Sequence, residues 1–406
     1  MSSSPPQKRL WIISELYYPE ITSTGFYITG VADFLAGDVD ARVICGQPNY
    51  ASRGKPAGRL DTRNNVHITR VRGLRLDKNI LVFRLLNMLS LSLSVFLKQL
   101  SSFRTGDSIL VVTTPPLLPF VTAVASLIRG AGYTLLVHDV YPEQLIATGI
   151  LKKSSAIVDL IDLMNRWVYK HARTIIAVGR DMKELLEKKT ADLEIPVVFI
   201  PNWAEIGQIA PAPREQNKLR QQLGLQDKFV VLSAGNFGRP NDLETILAAA
   251  ELLSSDRDVQ FLFIGGGAKE KWLKTRSSKL PNVTVLDAMP RDEQNVFLNA
   301  CDVTLASFVR GMWGAAVPSR VYNYMAAAKP VIAICEPASE LANIVRDDHV
   351  GVRVDAGDAQ ALARAIIELK DSPDLRSEMA ENAREAAVGK YSPEWILPQF
   401  RDLLIR

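Results

Sequence analysis

Cysteine and histidine are nearly missing from this 406-residue chain. Its three cysteines (Cys45, Cys301, Cys335) stand far apart, with no C-x-x-C pair among them. That excludes a disulfide framework and a structural zinc site, and it points to a reducing cytosol. The four histidines (His67, His138, His171, His349) form no H-E-x-x-H motif, so a zinc-type catalytic centre has little to build on. No metal and no other cofactor is expected. Uninterrupted apolar runs are also lacking. Residues 108–128 make 21 consecutive uncharged positions, long enough for a bilayer, but Pro115, Pro116 and Pro119 break helix continuity. The stretch reads as a buried strand, Ile109–Thr114, and an apolar helix, Leu117–Ile128. Leu85–Leu97 offers only 13 uncharged residues between Arg84 and Lys98. As a helix that is about 20 Å, short of the ~30 Å hydrocarbon core. Such a segment suits a helix lying in a membrane interface, and an ordinary core helix explains it equally well. Met1–Gln7 is polar and lacks the apolar region of a signal peptide. The expected location is the cytoplasm, peripheral on the inner face of the membrane.

What is present is an ordinary folding mixture, 47% hydrophobic and 23% charged, which excludes disordered and collagen-like classes. At roughly 100–200 residues per domain the length implies two or three domains. The net charge of +4 is uneven. Residues 1–200 carry 24 basic against 17 acidic side chains, and residues 201–406 carry 24 against 27. Most of the basic excess sits in residues 53–84, where Arg53, Lys55, Arg59, Arg63, Arg70, Arg72, Arg75, Lys78 and Arg84 stand against only Asp61 and Asp77. This balance favours an anionic partner, such as a phosphorylated substrate, an anionic lipid surface or nucleic acid, and a solvated surface explains it equally well. No nucleic-acid partner is expected.

Short β-rich apolar runs alternate with helical patterns, the signature of parallel sheets covered by helices. The expected strands of the first half are Leu10–Glu15, Arg42–Cys45, His67–Arg72, Ile109–Thr114, Thr134–His138, Thr174–Val178 and Val197–Ile200. Those of the second are Phe229–Ala234, Gln260–Ile264, Val283–Leu286, Val303–Ser307, Val331–Ile334 and Gly351–Val354. The fold class is α/β, with two doubly wound Rossmann-like domains facing across a cleft. Expected boundaries are 1–203, 204–385 and a returning terminal helix within 386–406. In open α/β sheets ligands bind outside the carboxyl ends of the strands, so the turns there carry the candidate site.

The first strand leads to Tyr18-Pro19-Glu20 and Thr22-Ser23-Thr24-Gly25, a small, hydroxylated turn before a helix that suits an anion or a simple cap. Thr134–His138 leads to His138-Asp139-Val140-Tyr141-Pro142-Glu143. There an imidazole beside two carboxylates suits orienting a hydroxyl or moving a proton, or a purely structural role. Phe229–Ala234 runs into Gly235-Asn236-Phe237-Gly238-Arg239-Pro240-Asn241-Asp242, for which phosphate is the natural ligand. Gly265-Gly266-Gly267 ends the next strand, yet Glu270 stands where a dinucleotide fingerprint needs glycine. Val309–Pro330 is the most informative segment. Gly311 and Gly314 form a loop, Pro318 opens a helix expected to reach Ala328, and Arg320 sits in its first turn with Asn323 at i+3. An arginine there opposes the helix dipole unless an anion is bound.

The ordered motifs Y-Y-P-E…T-S-T-G, H-D-V-Y-P-E, A-V-G-R-D-M, I-P-N-W, A-G-N-F-G-R, F-I-G-G-G and P-S-R-V-Y-N-Y-M-A-A-A-K-P-V-I resemble the retaining glycosyltransferases of family 4. The similarity is greatest to the bacterial exopolysaccharide, colanic-acid and O-antigen branch, which includes amino-sugar transferases, and it spans almost the whole chain. It implies a GT-B fold and transfer of a sugar, with retention and without metal, from a nucleotide donor, expected to be UDP-linked. The implied acceptor is a saccharide, expected to be carried on undecaprenyl diphosphate. In residue terms it implies that Thr24 and Gly25 approach the diphosphate and that His138 meets the transferred sugar or its nucleophile; His138, Glu143 and Arg320 are the expected catalytic residues. Asn236, Gly238, Arg239 and Asn241 would form the phosphate turn. Ala288, Met289 and Pro290, with Gly266, would hold the base. Gly311, Met312, Trp313, Gly314, Ala315, Ser319 and Arg320 would bind sugar and phosphates, and Asn323 the ribose. Tyr18, Tyr27, Arg53 and Arg59 are expected to face the acceptor. Two departures stand out. The family's E-x7-E pair falls on Ala315 and Asn323, and its phosphate-turn Arg and Lys fall on Asn236 and Asn241, leaving Arg239 and Arg320 as replacement cations. A nucleotide-sugar 2-epimerase and a non-catalytic nucleotide-sugar-binding subunit are the alternatives.

Overall fold

A computed structural model describes residues 8–48, 57–76 and 81–405. The chain divides into two compact units. The first takes the chain up to Pro142, Lys153–Pro201 and the stretch from Ile396 onward; the second takes Glu143–Lys152 and Asn202–Trp395.

The first unit holds strands β1 (Arg9–Ser14), β2 (Asp40–Cys45), β3 (Leu60–Arg63), β4 (Val66–Arg70), β5 (Ser108–Val112), β6 (Gly132–Val137), β7 (Thr174–Ala177) and β8 (Val197–Phe199). They form one sheet in the order β3-β4-β2-β1-β5-β6-β7-β8. Every pairing is parallel except that of β3 with β4. Between them run helices α1 (Ser23–Leu35), α2 (Leu81–Ser102) and α3 (Leu118–Arg129). Helix α4 (Glu143–Ala147) belongs to the second unit, while α5 (Ala156–His171) and α6 (Arg180–Lys189) return to the first. Residues 10–13 of β1 and 109–112 of β5 are buried without alternation, as expected of strands covered on both faces. The edge strand β3 is an addition to the expected set. Its Leu60, Asp61 and Thr62 are exposed, so no buried apolar run announces it.

The second unit builds a wholly parallel six-stranded sheet, β11-β10-β9-β12-β13-β14. Its strands are β9 (Phe229–Asn236), β10 (Val259–Gly266), β11 (Val283–Leu286), β12 (Val303–Ser307), β13 (Val331–Ile334) and β14 (Gly351–Val354). The helices are α7 (Lys218–Gln222), α8 (Leu243–Leu252), α9 (Glu270–Ser277), α10 (Gln294–Leu298), α11 (Arg320–Ala326), α12 (Glu340–Asp347), α13 (Ala359–Asp371) and α14 (Pro373–Gly389). Strand β9 feeds both cores: Val230, Leu232 and Ala234 point to one face, Phe229 and Val231 to the other. Each such large side chain removed from water contributes about 1.5–3 kcal/mol, which ties the β9 carboxyl end to a rigid base. Helix α15 (Pro393–Leu404) ends the described chain and passes from the second unit to the first at Ile396. The return to the first unit therefore comes later than the expected position 386, because α14 stays with the second. In the first unit Lys8 donates to the Ile405 carbonyl (2.9 Å).

Candidate functional site

The carboxyl edge of the second sheet gathers the expected phosphate turn and Arg320. Beyond β9 the chain turns through residues 235–242 into α8, where the Asp242 carboxylate caps the helix by accepting from the Thr245 amide (3.0 Å) and hydroxyl (2.6 Å). A Cβ on Gly265 would stand 1.9 Å from the Gly235 carbonyl oxygen, so only glycine lets β10 pass this close. The Phe237 amide donates to the Gly266 carbonyl (2.8 Å) and joins the two turns. Arg320, from the start of α11, reaches back over β9. Its guanidinium donates to the Ala234 carbonyl (2.9 Å), to Asn241 Oδ1 (3.1 Å) and, longer, to the Asn236 carbonyl (3.4 Å). Tyr324, one turn further on, donates to the same Ala234 carbonyl (3.1 Å) and accepts from its amide (3.2 Å). Asn241 is buried and donates to the Asn236 carbonyl (2.9 Å). Among the described residues no carboxylate lies within ion-pair distance of Arg320 or of exposed Arg239. A half-buried guanidinium held only by neutral oxygens keeps its full charge for an anion. Lys269 adds a third cation, ion-paired with Glu244 (2.7 Å) and donating to the Asn241 carbonyl (2.8 Å).

Several expectations need correction. The helix after Pro318 covers only Arg320–Ala326, and Ala328 turns to φ +53, which ends it. Its first amides, on Val321 and Tyr322, are taken by the carbonyls of Pro318 (3.0 Å) and Ser319 (3.3 Å). The guanidinium, not a long helix end, is therefore what the turn presents. Met312 and Ala315 are buried in a small cluster with Phe308, so their side chains serve packing rather than donor contact. The amides of Gly311 and Trp313 donate to Glu336 (3.1 and 2.9 Å), and the Trp313 indole to the Ala338 carbonyl (3.1 Å). Those donors are occupied. Ser319 is half-buried and Gly314 is buried.

Asn323 is buried in a polar cluster. It donates to Glu205 (2.5 Å) and Gln294 (2.9 Å) and accepts from the Glu205 amide (3.1 Å). Glu205, also buried, pairs with Arg291 (2.5 Å). That pair anchors the loop after Ala288-Met289-Pro290, in which Met289 leans on the core while Ala288 and Pro290 are exposed. A carboxylate thus stands beside Asn323 after all, supplied from a distant stretch. Sequence reading misses Glu205, Glu336, Lys269 and Tyr324. Of these only Tyr324 carries a local signal, at i+4 from Arg320.

In the first unit, Thr24 and Gly25 lie inside the first turn of α1, not in a loop before it. A Cβ on Gly25 would approach the Glu20 carbonyl oxygen to 2.5 Å, so this glycine is needed for packing. Tyr27 is 3% exposed and belongs to the core, which removes it as an acceptor contact. Tyr18 is exposed, with Arg63 stacked 4.5 Å from its ring. The His138 and Asp139 amides donate to Thr113 Oγ1 (3.1 and 3.3 Å). Burial lowers the His138 pKa to about 4, so at physiological pH the imidazole is neutral, with one nitrogen donating and the other accepting. Glu143 opens α4 in the second unit. Arg53 lies outside the described residues; Arg59 is described and exposed.

Residues 215–386 match the family described as Glycosyl transferases group 1. The probable glycosyltransferase WbjE of Pseudomonas aeruginosa is 34% identical over 297 residues, 73% of this chain and 74% of that one. WcaI of Escherichia coli (strain K12), a glycosyl transferase whose name assigns it to colanic acid biosynthesis, is 26% identical over 399 residues, 95% and 96% of the two chains. Among solved structures, Anabaena HepE in complex with UDP-glucose superposes with a TM-score of 0.70 at 18% identity, over 98% of this chain and 99% of that one.

Proposed function

We propose that this chain, which belongs to the group 1 glycosyl transferases and has their GT-B fold, transfers a sugar with retention from a UDP-linked donor to a lipid-linked saccharide during synthesis of a bacterial surface polysaccharide. The observation that carries the reading is Arg320, uncompensated by any described carboxylate and fixed on Ala234 and Asn241 beside the 235–242 turn. As the bond between the anomeric carbon and the phosphate oxygen lengthens, negative charge collects on the diphosphate and positive charge on the sugar. A preset guanidinium stabilises that charge more in the transition state than in the ground state. The acceptor oxygen bonds to the anomeric carbon on the face the diphosphate leaves, and its proton passes to a phosphate oxygen. No metal and no protein base enters. Neutral His138 orients a sugar hydroxyl without exchanging a proton. Glu205–Arg291 holds the 288–290 loop for the base. The choice of UDP is supported by HepE, whose structure was solved with UDP-glucose bound, and the polysaccharide role by the names of WbjE and WcaI.

The lipid carrier is inferred from α2. Its Val82, Leu85, Leu86, Leu89, Leu93 and Leu97 are all exposed, while Leu91 and Val95 face the core. A stripe of that length on an outer face marks a contact surface, and Arg84 and Lys98, with no acid in the helix, suit anionic lipid. Among the described residues no helix is long and apolar enough to cross a membrane. The decisive assay incubates the protein with UDP-, GDP- and ADP-sugars and a membrane-extracted acceptor. Release of UDP together with an α-linked product from an α-linked donor is expected. Release of GDP or ADP alone, or an inverted linkage, overturns the reading.

A further inference from the structure

At the carboxyl ends of β2 and β4, a cavity of about 390 Å³ is lined by Gln47, Ala57, Arg59, Arg70, Arg72, Gly73 and Arg75. Four of its seven lining residues are arginines. Its volume falls in the range of roughly 300–1,000 Å³ usual for small-ligand sites, and its position at strand carboxyl ends is where open parallel sheets bind ligands.

The floor is built, not incidental. The Arg70 side chain is completely buried. It donates to the carbonyls of Tyr18 (2.7 Å) and Gly58 (2.8 Å) and reaches Asp61 (3.2 Å), while its buried Nε has no hydrogen-bond partner. Among the described residues Asp61 is the one carboxylate ion-paired with any of these arginines. Arg59, Arg72 and Arg75 have no ion-pair partner there. Asp61 meets the charge of buried Arg70, while Arg59, Arg72 and Arg75 add three exposed guanidinium groups with no described carboxylate paired to them; guanidinium forks match phosphate oxygens in pairs.

The cavity is fastened to the leucine-striped helix. Gly73 lies against Leu91, where a Cβ would come within 3.2 Å of the Leu91 backbone. The Leu74 amide donates to Ser90 Oγ (2.8 Å) and the Leu76 amide to Asn87 Oδ1 (2.9 Å). An anion pocket and an apolar stripe therefore sit on one rigid assembly, the pattern complementary to a molecule with a polyanionic head and a hydrocarbon tail.

We propose that the Arg59–Arg70–Arg72–Arg75 cavity is a diphosphate subsite that holds the head group of a lipid-borne acceptor, with the hydrocarbon running onto α2. This deepens the acceptor reading above and rests on it. The diphosphate chemistry itself has two sources, a lipid head group or a free phosphate compound, and the test separates them. Full-length protein saturated with UDP, which occupies the other phosphate site, is titrated calorimetrically with inorganic pyrophosphate and with farnesyl diphosphate. The same titrations are run on Arg72→Gln/Arg75→Gln, two exposed-side changes that leave buried Arg70 in place. Expected results are saturable pyrophosphate binding, at least tenfold weaker in the double variant, and farnesyl diphosphate binding at least tenfold tighter than pyrophosphate. Circular dichroism and UDP affinity are expected to be unchanged by the double substitution. Pyrophosphate binding equal in wild type and variant overturns the site. Equal affinity for the two ligands, with both weakened in the variant, assigns the cavity to a free phosphate compound and overturns the lipid-borne acceptor while leaving donor binding intact.

Discussion

Arg320 differs from Arg291 and Arg220 in what holds it. Arg291 is neutralised by Glu205 and Arg220 by Asp302, whereas Arg320 is gripped by Ala234 and Asn241 oxygens that carry no net charge. Arg320→Ala is expected to lower kcat by roughly 10²–10³-fold, the usual cost of deleting one donor to a developing negative charge, with the fold preserved by circular dichroism. Arg320→Lys recovers little, because one ammonium cannot reproduce a fork spread over several oxygens. A kcat within about twofold of wild type for the alanine variant would remove Arg320 from the mechanism. His138 makes a second residue-scale prediction, on stability. Its folded pKa of about 4 lies below the ordinary 6.5, so between those values the unfolded chain binds more protons than the native one. Its contribution is complete above pH 6.5 and is lost as pH falls toward 4, amounting to at most about 3 kcal/mol at roughly 1.36 kcal/mol per unit. Urea unfolding from about pH 7.5 to about pH 4.5 is expected to show a steeper fall in wild type than in His138→Gln; parallel curves would contradict burial of a neutral imidazole.

Elements are more legible than loops, and the difference is physical. A strand buried on both faces announces itself as an apolar run, and every expected run matches an observed strand to within about two residues at each end. β3 escapes because an exposed edge strand needs no such run, and α11 is overextended because its pattern continues past the point where Ala328 turns left-handed. The 309–316 loop misleads for another reason. Its glycines suggest amides turned to a ligand, but Glu336, distant in sequence, already accepts two of them. Glu336→Ala removes the carboxylate from an exposed and a half-buried amide, at about 1 kcal/mol, the net worth of a hydrogen bond whose donor water can reach. A matching drop in urea stability is expected, together with a raised KM for donor as the loop loosens; unchanged stability would show that water replaces the carboxylate at no cost. Helix α2 carries the corresponding surface prediction. Leu89→Glu/Leu93→Glu alters two exposed positions and is expected to abolish flotation with phosphatidylglycerol liposomes while leaving thermal stability within about 0.5 kcal/mol, as for surface changes generally. Flotation equal to wild type would take the stripe out of membrane contact.

At the scale of the whole molecule, alternating strands and helices imply two doubly wound sheets, but sequence order cannot say which stretches cross between them. Residues 143–152 leave the first half to join the second unit, since Ala147 packs with the Phe308–Met312–Ala315 cluster, and nothing local to that stretch signals such a long-range contact. The same holds for Glu205 beside Asn323. Two units with separate cores also shape how ligand binding must register. A nucleotide bound at 235–242 and Arg320 stabilises only the unit that contains them, by RT ln(1 + [L]/Kd), about 2.7 kcal/mol at one hundred times Kd. For a unit of this size that is a rise of roughly 5–10 °C in its midpoint. Differential scanning calorimetry with UDP is expected to raise the transition of the second unit by that amount and to leave any separate first-unit transition where it was. The second-unit transition is identified independently by Gly265→Ala, which drives a methyl group to 1.9 Å from the Gly235 carbonyl oxygen and therefore lowers the midpoint of the unit that houses both strands. UDP and Gly265→Ala must move the same transition in opposite directions. If UDP instead raises a transition that Gly265→Ala leaves untouched, the nucleotide is bound by the first unit, and the assignment of Arg320 to its diphosphate fails.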